Sequence, residues 1–196
     1  TGSDDEISFM MSVSGEGTKL LTSKRIGDKL NLIGPLGNSF NTESISKNVV
    51  IVAGGLGVAP FPYLTKVIGN NSNIRTFIGG RSSNDIVTYG LVNYEIATDD
   101  GSLGFKGNVI QLLSTKINEI DAQNTKIFGC GPTRMLKALK EFAAENNVEC
   151  EISTECAMAC GFGICQGCPV ESTTDDSKYL LVCKDGPIFN SRSVHL

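Results

Sequence analysis

The sequence predicts an α/β fold with added β structure. A doubly wound parallel sheet occupies the middle of the chain, a β-rich stretch precedes it, and a small cysteine-rich lobe follows. Three observations carry this reading. Asn48-Val49-Val50-Ile51-Val52-Ala53 is a continuous apolar run of the kind shown by a strand covered on both faces. It enters a glycine turn, Gly54-Gly55-Leu56-Gly57, and then a helix-like segment from Phe61 to Ile68. Lys126-Ile127-Phe128-Gly129-Cys130-Gly131-Pro132 repeats strand and glycine turn, and Met135, Leu136, Leu139 and Phe142 then form one helical stripe. Finally, Cys160, Cys165 and Cys168 crowd one glycine-containing loop, and Cys183 follows after fourteen intervening residues.

From the start, Ile7 to Val13 reads as a strand of loose alternation. Gly15-Glu16-Gly17-Thr18 then opens a helical turn at Lys19-Leu20-Leu21, and its free N–H groups and hydroxyl suit a phosphate. Ile26 to Ile33 reads as a tight turn and an alternating strand, broken by Gly34-Pro35-Leu36-Gly37. Residues 38–47 are polar and predict a connection between domains. The junction from Val49 to Pro60 places glycine backbone at a helix N-terminus, which suits a pyrophosphate. It is not G-x-G-x-x-G, so an ordinary βα turn stays open at this point. Pro60 and Pro62 fall where a missing N–H costs a helix nothing.

Ile74 to Ser82 is a second strand and turn. Its end is where a ribose or a 2′-phosphate lies in a doubly wound sheet, and Arg81, Ser82 and the nearby Asp85 leave NAD against NADP open. A short strand is expected within Val87–Ala97 and a helix from Val109 to Ile120, with Val109, Leu112, Leu113 and Ile117 apolar. Two strand–glycine–helix junctions facing one crevice favour a nucleotide more than either does alone. Cys130 would stand at that crevice or be a buried thiol, and Met135 reads as core. Cys150 to Thr154 is a last strand leading into the cysteine loop. Gly186 to Phe189 makes a turn and a short strand, and the single histidine, His195, reads as terminal surface.

The 196 residues carry a net charge of −4 and no basic patch, which argues against nucleic acid. Hydrophobic residues make up 40%, enough for a packed core, yet no apolar run nears the roughly 20 residues of a membrane span. No signal-peptide pattern opens the chain, and exposed thiolates suit a reducing compartment, so a cytoplasmic location is expected. The chain begins without Met and enters an alternating strand at once, which predicts a missing N-terminal part.

The cysteine spacing is C-x4-C-x2-C followed by a distant fourth Cys, the plant-type [2Fe-2S] pattern. Two irons take four thiolates, and one loop supplies three only by wrapping the cluster. Gly161 and Gly163 permit φ > 0 there and let amide N–H groups point at sulfurs, which helps to set a reduction potential. A structural zinc site using the same four cysteines stays open, although such sites usually show two separated pairs. Seven cysteines is an odd number, which disfavours a disulfide framework. Cys150 and Cys156 read as structural thiols, with ligation by Cys156 left open because it lies so near the loop.

In this order the pieces resemble the ferredoxin-reductase-like flavoproteins that carry a C-terminal [2Fe-2S] lobe, above all the electron-transfer subunits of NAD-linked dihydroorotate dehydrogenase. The matching stretches are Gly15-Glu16-Gly17-Thr18, Gly34 to Gly37, Gly54 to Pro60, Gly129 to Pro132, Met158 to Gly163 with Cys165 and Cys168, and Val182 to Pro187. The resemblance implies three parts: a truncated flavin-binding β-barrel (1–44), a doubly wound NAD-binding domain (45–154) and a [2Fe-2S] lobe (155–196). It implies that Cys160, Cys165, Cys168 and Cys183 ligate the cluster, and that Gly17 and Thr18 hold the FAD pyrophosphate. Met10, Met11 and Ser12 would run beside the flavin, while Gly54, Gly55, Gly57, Cys130, Gly131 and Pro132 would line the NAD site. The family's Arg-Pro-x-Ser segment has no counterpart here, so weak or absent FAD retention is expected, with strand edges left unpaired.

The implied activity is electron transfer in pyrimidine biosynthesis. Electrons would come from an FMN-containing dihydroorotate dehydrogenase catalytic subunit and pass through [2Fe-2S] and FAD to NAD+. Two alternatives remain at this point. One is an NAD(P)H-dependent reductase subunit for ferredoxin, sulfide or hydrogenase chemistry, and the other is a zinc-stapled nucleotide-binding module without redox activity.

Overall fold

The computed structural model describes residues 6–43, 47–175 and 179–196. Its centre is a sheet of strands β1 (Asn48–Gly54), β2 (Asn73–Gly80), β3 (Tyr94–Thr98), β4 (Phe105–Lys106), β5 (Thr125–Cys130), β6 (Glu149–Ser153) and β9 (Ile188–Asn190). The remaining strands, β7 (Pro169–Glu171) and β8 (Tyr179–Leu181), form a separate antiparallel pair. The sheet order is β4-β3-β2-β1-β5-β6-β9, parallel throughout except for the last pairing. From β1 the chain first builds outward through β2, β3 and β4, then returns to the other side through β5 and β6. The order therefore reverses between β1 and β5, and in such sheets ligands bind outside the carboxyl ends at that point.

The apolar run in β1 follows from burial on both faces. Val49, Ile51 and Ala53 pack with Phe61, Leu64 and Ile68 of helix α2 (Phe61–Ile68). Val50 and Val52 pack on the opposite face with α3 (Val109–Thr115) and α4 (Thr133–Glu145). A strand buried on both faces has no position for a polar alternation. The second face also takes in Cys168, Leu181, Val182, Cys183 and Phe189, so the cysteine-rich segment shares the core of the sheet.

Three expectations differ from the structure. First, the strands expected at Ile7–Val13 and within Ile26–Ile33 are not formed. Residues 6–43 carry one helix, α1 (Glu16–Thr22), and no strand. A strand requires a neighbour to hydrogen-bond, and none of the described residues supplies one. Ile7, Phe9, Val13, Leu30, Leu32 and Ile33 stay exposed as a result. Second, the helix expected to reach Ile120 ends at Thr115 and gives way to a short 3-10 turn, Ile117–Glu119. The hydroxyls of Ser114 and Thr115 donate back to the carbonyls of Ile110 and Leu112, a local alternative that weakens a helix end.

Third, the polar connection at 38–47 is docked on both of its neighbours, with residues 44–46 outside the described set. Phe40 is buried against Phe61 and Phe128, its ring centroid 5.8 Å and 5.0 Å from theirs. Asn38 donates to the carbonyls of Asp185 and Ile188 and accepts from the Ile188 N–H. Behind it, the Asn41 N–H donates to Glu151 and the Asn41 carbonyl accepts from Lys126.

The Lys126 side chain is 1% exposed and meets Glu151 at 2.8 Å and Glu149 at 3.0 Å. Burial works against its charge, but the two carboxylates outweigh it and leave its pKa raised. Lys126→Ala is expected to cost roughly 3 kcal/mol, because Glu151, only 13% exposed, then keeps an uncompensated charge. Lys126→Met, which fills the same space, should cost no less while Glu151 stays charged. Adding Glu151→Gln should recover part of that loss, and urea midpoints for the three variants check this.

Candidate iron-sulfur and dinucleotide sites

Two sites are built from different parts of the chain. The first begins where β6 delivers the chain into the loop after Ser153. Gly161 (φ +80°), Gly163 (φ +87°) and Gln166 (φ +58°) turn this loop in the left-handed region. That backbone aims N–H groups inward. The Cys165 N–H donates to the Cys160 sulfur at 3.4 Å, and the Gly167 N–H donates to the Cys165 sulfur at 3.4 Å. Strand pairing then brings in the distant cysteine. β7 and β8 align Pro169 with Leu181, which sets Cys168 beside the Val182–Cys183 turn. The two sulfurs lie 3.2 Å apart, and the Cys183 N–H donates to the Cys168 sulfur at 3.5 Å. Cys168 and Cys183 are 2% and 7% exposed.

The four thiols therefore come as two pairs, Cys160 with Cys165 and Cys168 with Cys183. Among the described residues no three His, Cys, Asp or Glu side chains gather round a single point. Two pairs of soft sulfur donors suit a centre of two irons, each taking two thiolates, better than one tetrahedral ion. The backbone stabilises sulfur charge as well. N–H groups of Cys165 and Phe162 hold the Cys160 thiol down at about 6. The Cys183 N–H lowers Cys168, and Cys183 itself is raised by the neighbouring Cys168 sulfur. Outside these pairs, Cys150 is fully packed in the core and burial pushes it up to about 12. Cys156 is half-buried against the same core and also raised, first by burial and then by Cys168.

A prediction follows for the metal-free chain. At pH 7 Cys160 lies above its pKa and is mostly thiolate, the reactive form. Iodoacetamide should label it well before Cys150, and labelling should fall as pH drops through about 6. Peptide mapping after short exposure checks the order, and equal labelling of the two would contradict it.

The second site lies where the strand order reverses. A cavity of about 450 Å³ there is lined by Ser12, Gly54, Gly55, Leu56, Gly79, Gly80, Arg81, Asp85, Asp99, Asn108, Val109, Pro132 and Met135. The glycines divide by task. A Cβ on Gly54 would stand 2.7 Å from the Met135 sulfur, and one on Gly57 would stand 2.2 Å from the Cys130 carbonyl. One on Gly131 would meet Met135 at 2.6 Å. These three let the two βα turns touch. Gly55 has φ +55° and open space where a Cβ would point, so its bare backbone faces the cavity.

Of the residues assigned to a dinucleotide, Gly54, Gly55 and Pro132 reach the cavity, whereas Gly57, Cys130 and Gly131 support it from behind. Cys130 is half-buried and its thiol is raised by burial, which suits a packing role. Met135, read from sequence as core, does pack against the core and also lines the cavity, because it sits at the start of α4 over Gly54. Asp99 and Asn108 went unremarked in the sequence. Their one signal is position, since each follows directly on the end of a strand or opens a helix.

Of the residues assigned to flavin, Ser12 reaches the same cavity. Met10 is half-buried against the α2 side of the core, and Met11 is exposed. The Thr18 hydroxyl is not free as the sequence suggested. It accepts from the N–H groups of Ser14 and Gly15 and donates to the Gly15 carbonyl. The first-turn N–H groups, which a helix leaves without internal partners, remain for a phosphate, and no atom lies within 4 Å of a Cβ placed on Gly17.

Comparisons with known proteins bear on both sites. Residues 155–195 match the profile of the iron-sulfur cluster binding domain of dihydroorotate dehydrogenase B. The dihydroorotate dehydrogenase B (NAD(+)) electron transfer subunit of Caldanaerobacter subterraneus is 38% identical over 194 residues, covering 97% of this chain and 76% of that protein. That of Bacillus velezensis is 36% identical over 201 residues, covering 98% and 75%. Among solved structures, the chain resembles one of an NADH-dependent reduced ferredoxin-NADP oxidoreductase studied for flavin-based electron bifurcation. The TM-score is 0.76 at 30% identity, over 94% of this chain and 67% of that one.

Proposed function

The chain belongs to the family of electron transfer subunits of dihydroorotate dehydrogenase B, and from that premise we propose that it carries electrons from a dihydroorotate-oxidising, FMN-containing partner subunit to NAD+ in pyrimidine biosynthesis. The observation that carries this is the meeting of four thiols as two pairs in the matched segment, one of which, Cys168 with Cys183, packs in the core of the sheet that also frames a dinucleotide-sized crevice. When bound, a [2Fe-2S] cluster passes single electrons, nicotinamide takes a hydride, and FAD converts between the two.

The residues divide the work. Cys160 and Cys165 would hold one iron, and Cys168 and Cys183 the other. The N–H groups of Cys165, Gly167 and Cys183 donate to these sulfurs and so favour added negative charge. Gly54, Gly55 and Pro132 would take the NAD pyrophosphate, with Gly57, Cys130 and Gly131 keeping the two turns in contact. Gly17 and Thr18 would meet the FAD pyrophosphate through backbone N–H groups. Met10, Met11 and Ser12 would flank the flavin, with Ser12 bringing that segment to the nicotinamide crevice.

The domain division that suits these roles is a flavin part at 1–44, a dinucleotide part at 45–154 and a cluster part at 155–196. No helix among the described residues is long and apolar enough to cross a membrane. A cytoplasmic location is proposed on the chemistry of the seven free cysteines, which need a reducing compartment.

The test is anaerobic reconstitution of the full chain with iron, sulfide and FAD, followed by mixing with the partner subunit, dihydroorotate and NAD+. NADH formation at the expense of dihydroorotate is the expected result. A colourless chain holding stoichiometric zinc defeats the proposal. The likeness to the ferredoxin-NADP oxidoreductase supports a second reading, a reductase subunit serving ferredoxin, and substituting ferredoxin for the dihydroorotate-oxidising partner in the same assay separates the two.

A further inference from the structure

The crevice has two ends. At one, Gly54, Gly55 and Pro132 meet over the point where the strand order reverses. At the other, β2 finishes at Gly80, and Arg81, Asp85 and Asp99 form the wall. In a doubly wound sheet this second end receives the adenosine ribose. A carboxylate there takes the 2′-hydroxyl of NAD, and an arginine accommodates the 2′-phosphate of NADP. This chain places both residue types at the same spot.

They are bound to each other. Asp85 Oδ2 accepts from the Arg81 backbone N–H and from Arg81 Nε, each at 3.1 Å. Asp85 Oδ1 accepts from a terminal guanidinium nitrogen of Arg81 at 3.3 Å. A single 3-10 turn, Ser83–Asp85, sets this spacing, and the Asp85 N–H donates to the Ser82 carbonyl. The carboxylate is the anchored member, with its side chain 26% exposed against 86% for Arg81. Gly80 is the close neighbour, since a Cβ placed there would stand 3.0 Å from the Asp85 Cβ. Each partner favours the other's charge, raising the guanidinium and lowering the carboxyl. With Asp99 added, two carboxylates face one guanidinium, so this end of the crevice carries a net charge of −1.

We propose that Asp85 sets the dinucleotide choice of this crevice. By holding Arg81 it withholds the guanidinium from a 2′-phosphate, and with Asp99 it presents carboxylate oxygens to ribose hydroxyls. The inference rests on the dinucleotide reading given above. A 2′-phosphate brings close to two negative charges beside a wall that is already negative. Its best partner, a forked contact with arginine, forms only after the Arg81–Asp85 contact breaks. A ribose hydroxyl asks for neither change.

The test titrates the full chain with NAD+ and with NADP+ by calorimetry. In Asp85→Asn, which keeps an acceptor for the Arg81 N–H, affinity for NADP+ relative to NAD+ is expected to rise roughly 10- to 100-fold. Adding Arg81→Ala should remove that gain, and raising the salt concentration should erode it. An unchanged ratio in a folded Asp85→Asn chain overturns the proposal, as does a gain that survives in the double variant. A tenfold or larger loss of NADP+ affinity in Arg81→Ala alone means that Arg81 already serves the phosphate, and also overturns it. If the unaltered chain binds neither dinucleotide, the reading beneath fails and takes this inference with it.

Discussion

Cys183→Ala is expected to yield a folded chain that no longer retains iron. Cys183 lies in the turn after β8, with its sulfur 3.2 Å from that of Cys168. Truncating a buried thiol to a methyl group removes little volume, so the sheet and the dinucleotide crevice should survive. What disappears is half of one sulfur pair. Changes to groups that merely support a metal ligand cost about 10- to 100-fold in affinity or activity, and loss of the ligand itself should exceed that. Iron and sulfide content, visible absorption and the EPR signal of the reduced chain read the cluster directly, while calorimetry with NAD+ reads the crevice. Full iron content with an unaltered spectrum would remove Cys183 from the ligand set. Cys150→Ala is the contrast, because that thiol is packed in the core on β6, outside the cysteine loop, and its loss should cost stability without costing iron.

The second large effect is expected at Gly57. A Cβ there would lie 2.2 Å from the Cys130 carbonyl oxygen and 2.6 Å from the Gly131 nitrogen. Both are backbone atoms held by β5 and the turn that follows, so no side chain can swing away to make room. Gly57→Ala must push the two βα turns apart, at roughly 3 kcal/mol for an overpacked core position. For a chain of this size that corresponds to a fall of about 6–12 °C in Tm. Because the same turns frame the crevice, NAD+ affinity should fall with stability.

Gly55→Ala separates the two consequences. Open space surrounds its Cβ position, so packing is spared and the cost is the left-handed backbone alone, about 1–2 kcal/mol. Its methyl group, however, points where the bound backbone must be bare, so affinity should fall out of proportion to stability. Thermal melts beside calorimetry for the two variants check the contrast. Equal behaviour of both glycines would mean that the close approach read at Gly57 does not control the site.

These two cases show what a local pattern can and cannot say. The βα junctions were legible because strand, turn and helix each follow from neighbours within a few residues. Val49 to Ala53 is apolar at every position, and Phe61 to Ile68 has the bounds observed. The cysteine loop was legible because a cluster imposes its spacing on consecutive residues. The strands expected near Ile7 and Leu30 failed on the opposite ground, since a strand depends on a partner that the same few residues do not contain. The core packing of Met135 was legible but its place in the cavity wall was not, because a helical stripe shows which face is apolar, not which end of that face overhangs a cavity. The docking of Phe40 and Asn38 was hidden because their partners, Phe128 and the turn at Asp185–Ile188, lie far away in the chain.

By itself, then, the sequence determined the cysteine spacing, the two glycine junctions and the strand–turn–helix pieces beside them, all of which are written in short-range spacing and hydrophobic pattern. The tertiary structure decided how the four sulfurs divide into pairs, which glycines serve contact and which face the cavity, and that Arg81 is already held by Asp85. Those features depend on distances between groups that the chain brings together only by folding. Register, crossing strands and close backbone approach set such distances, and residue order alone does not contain them.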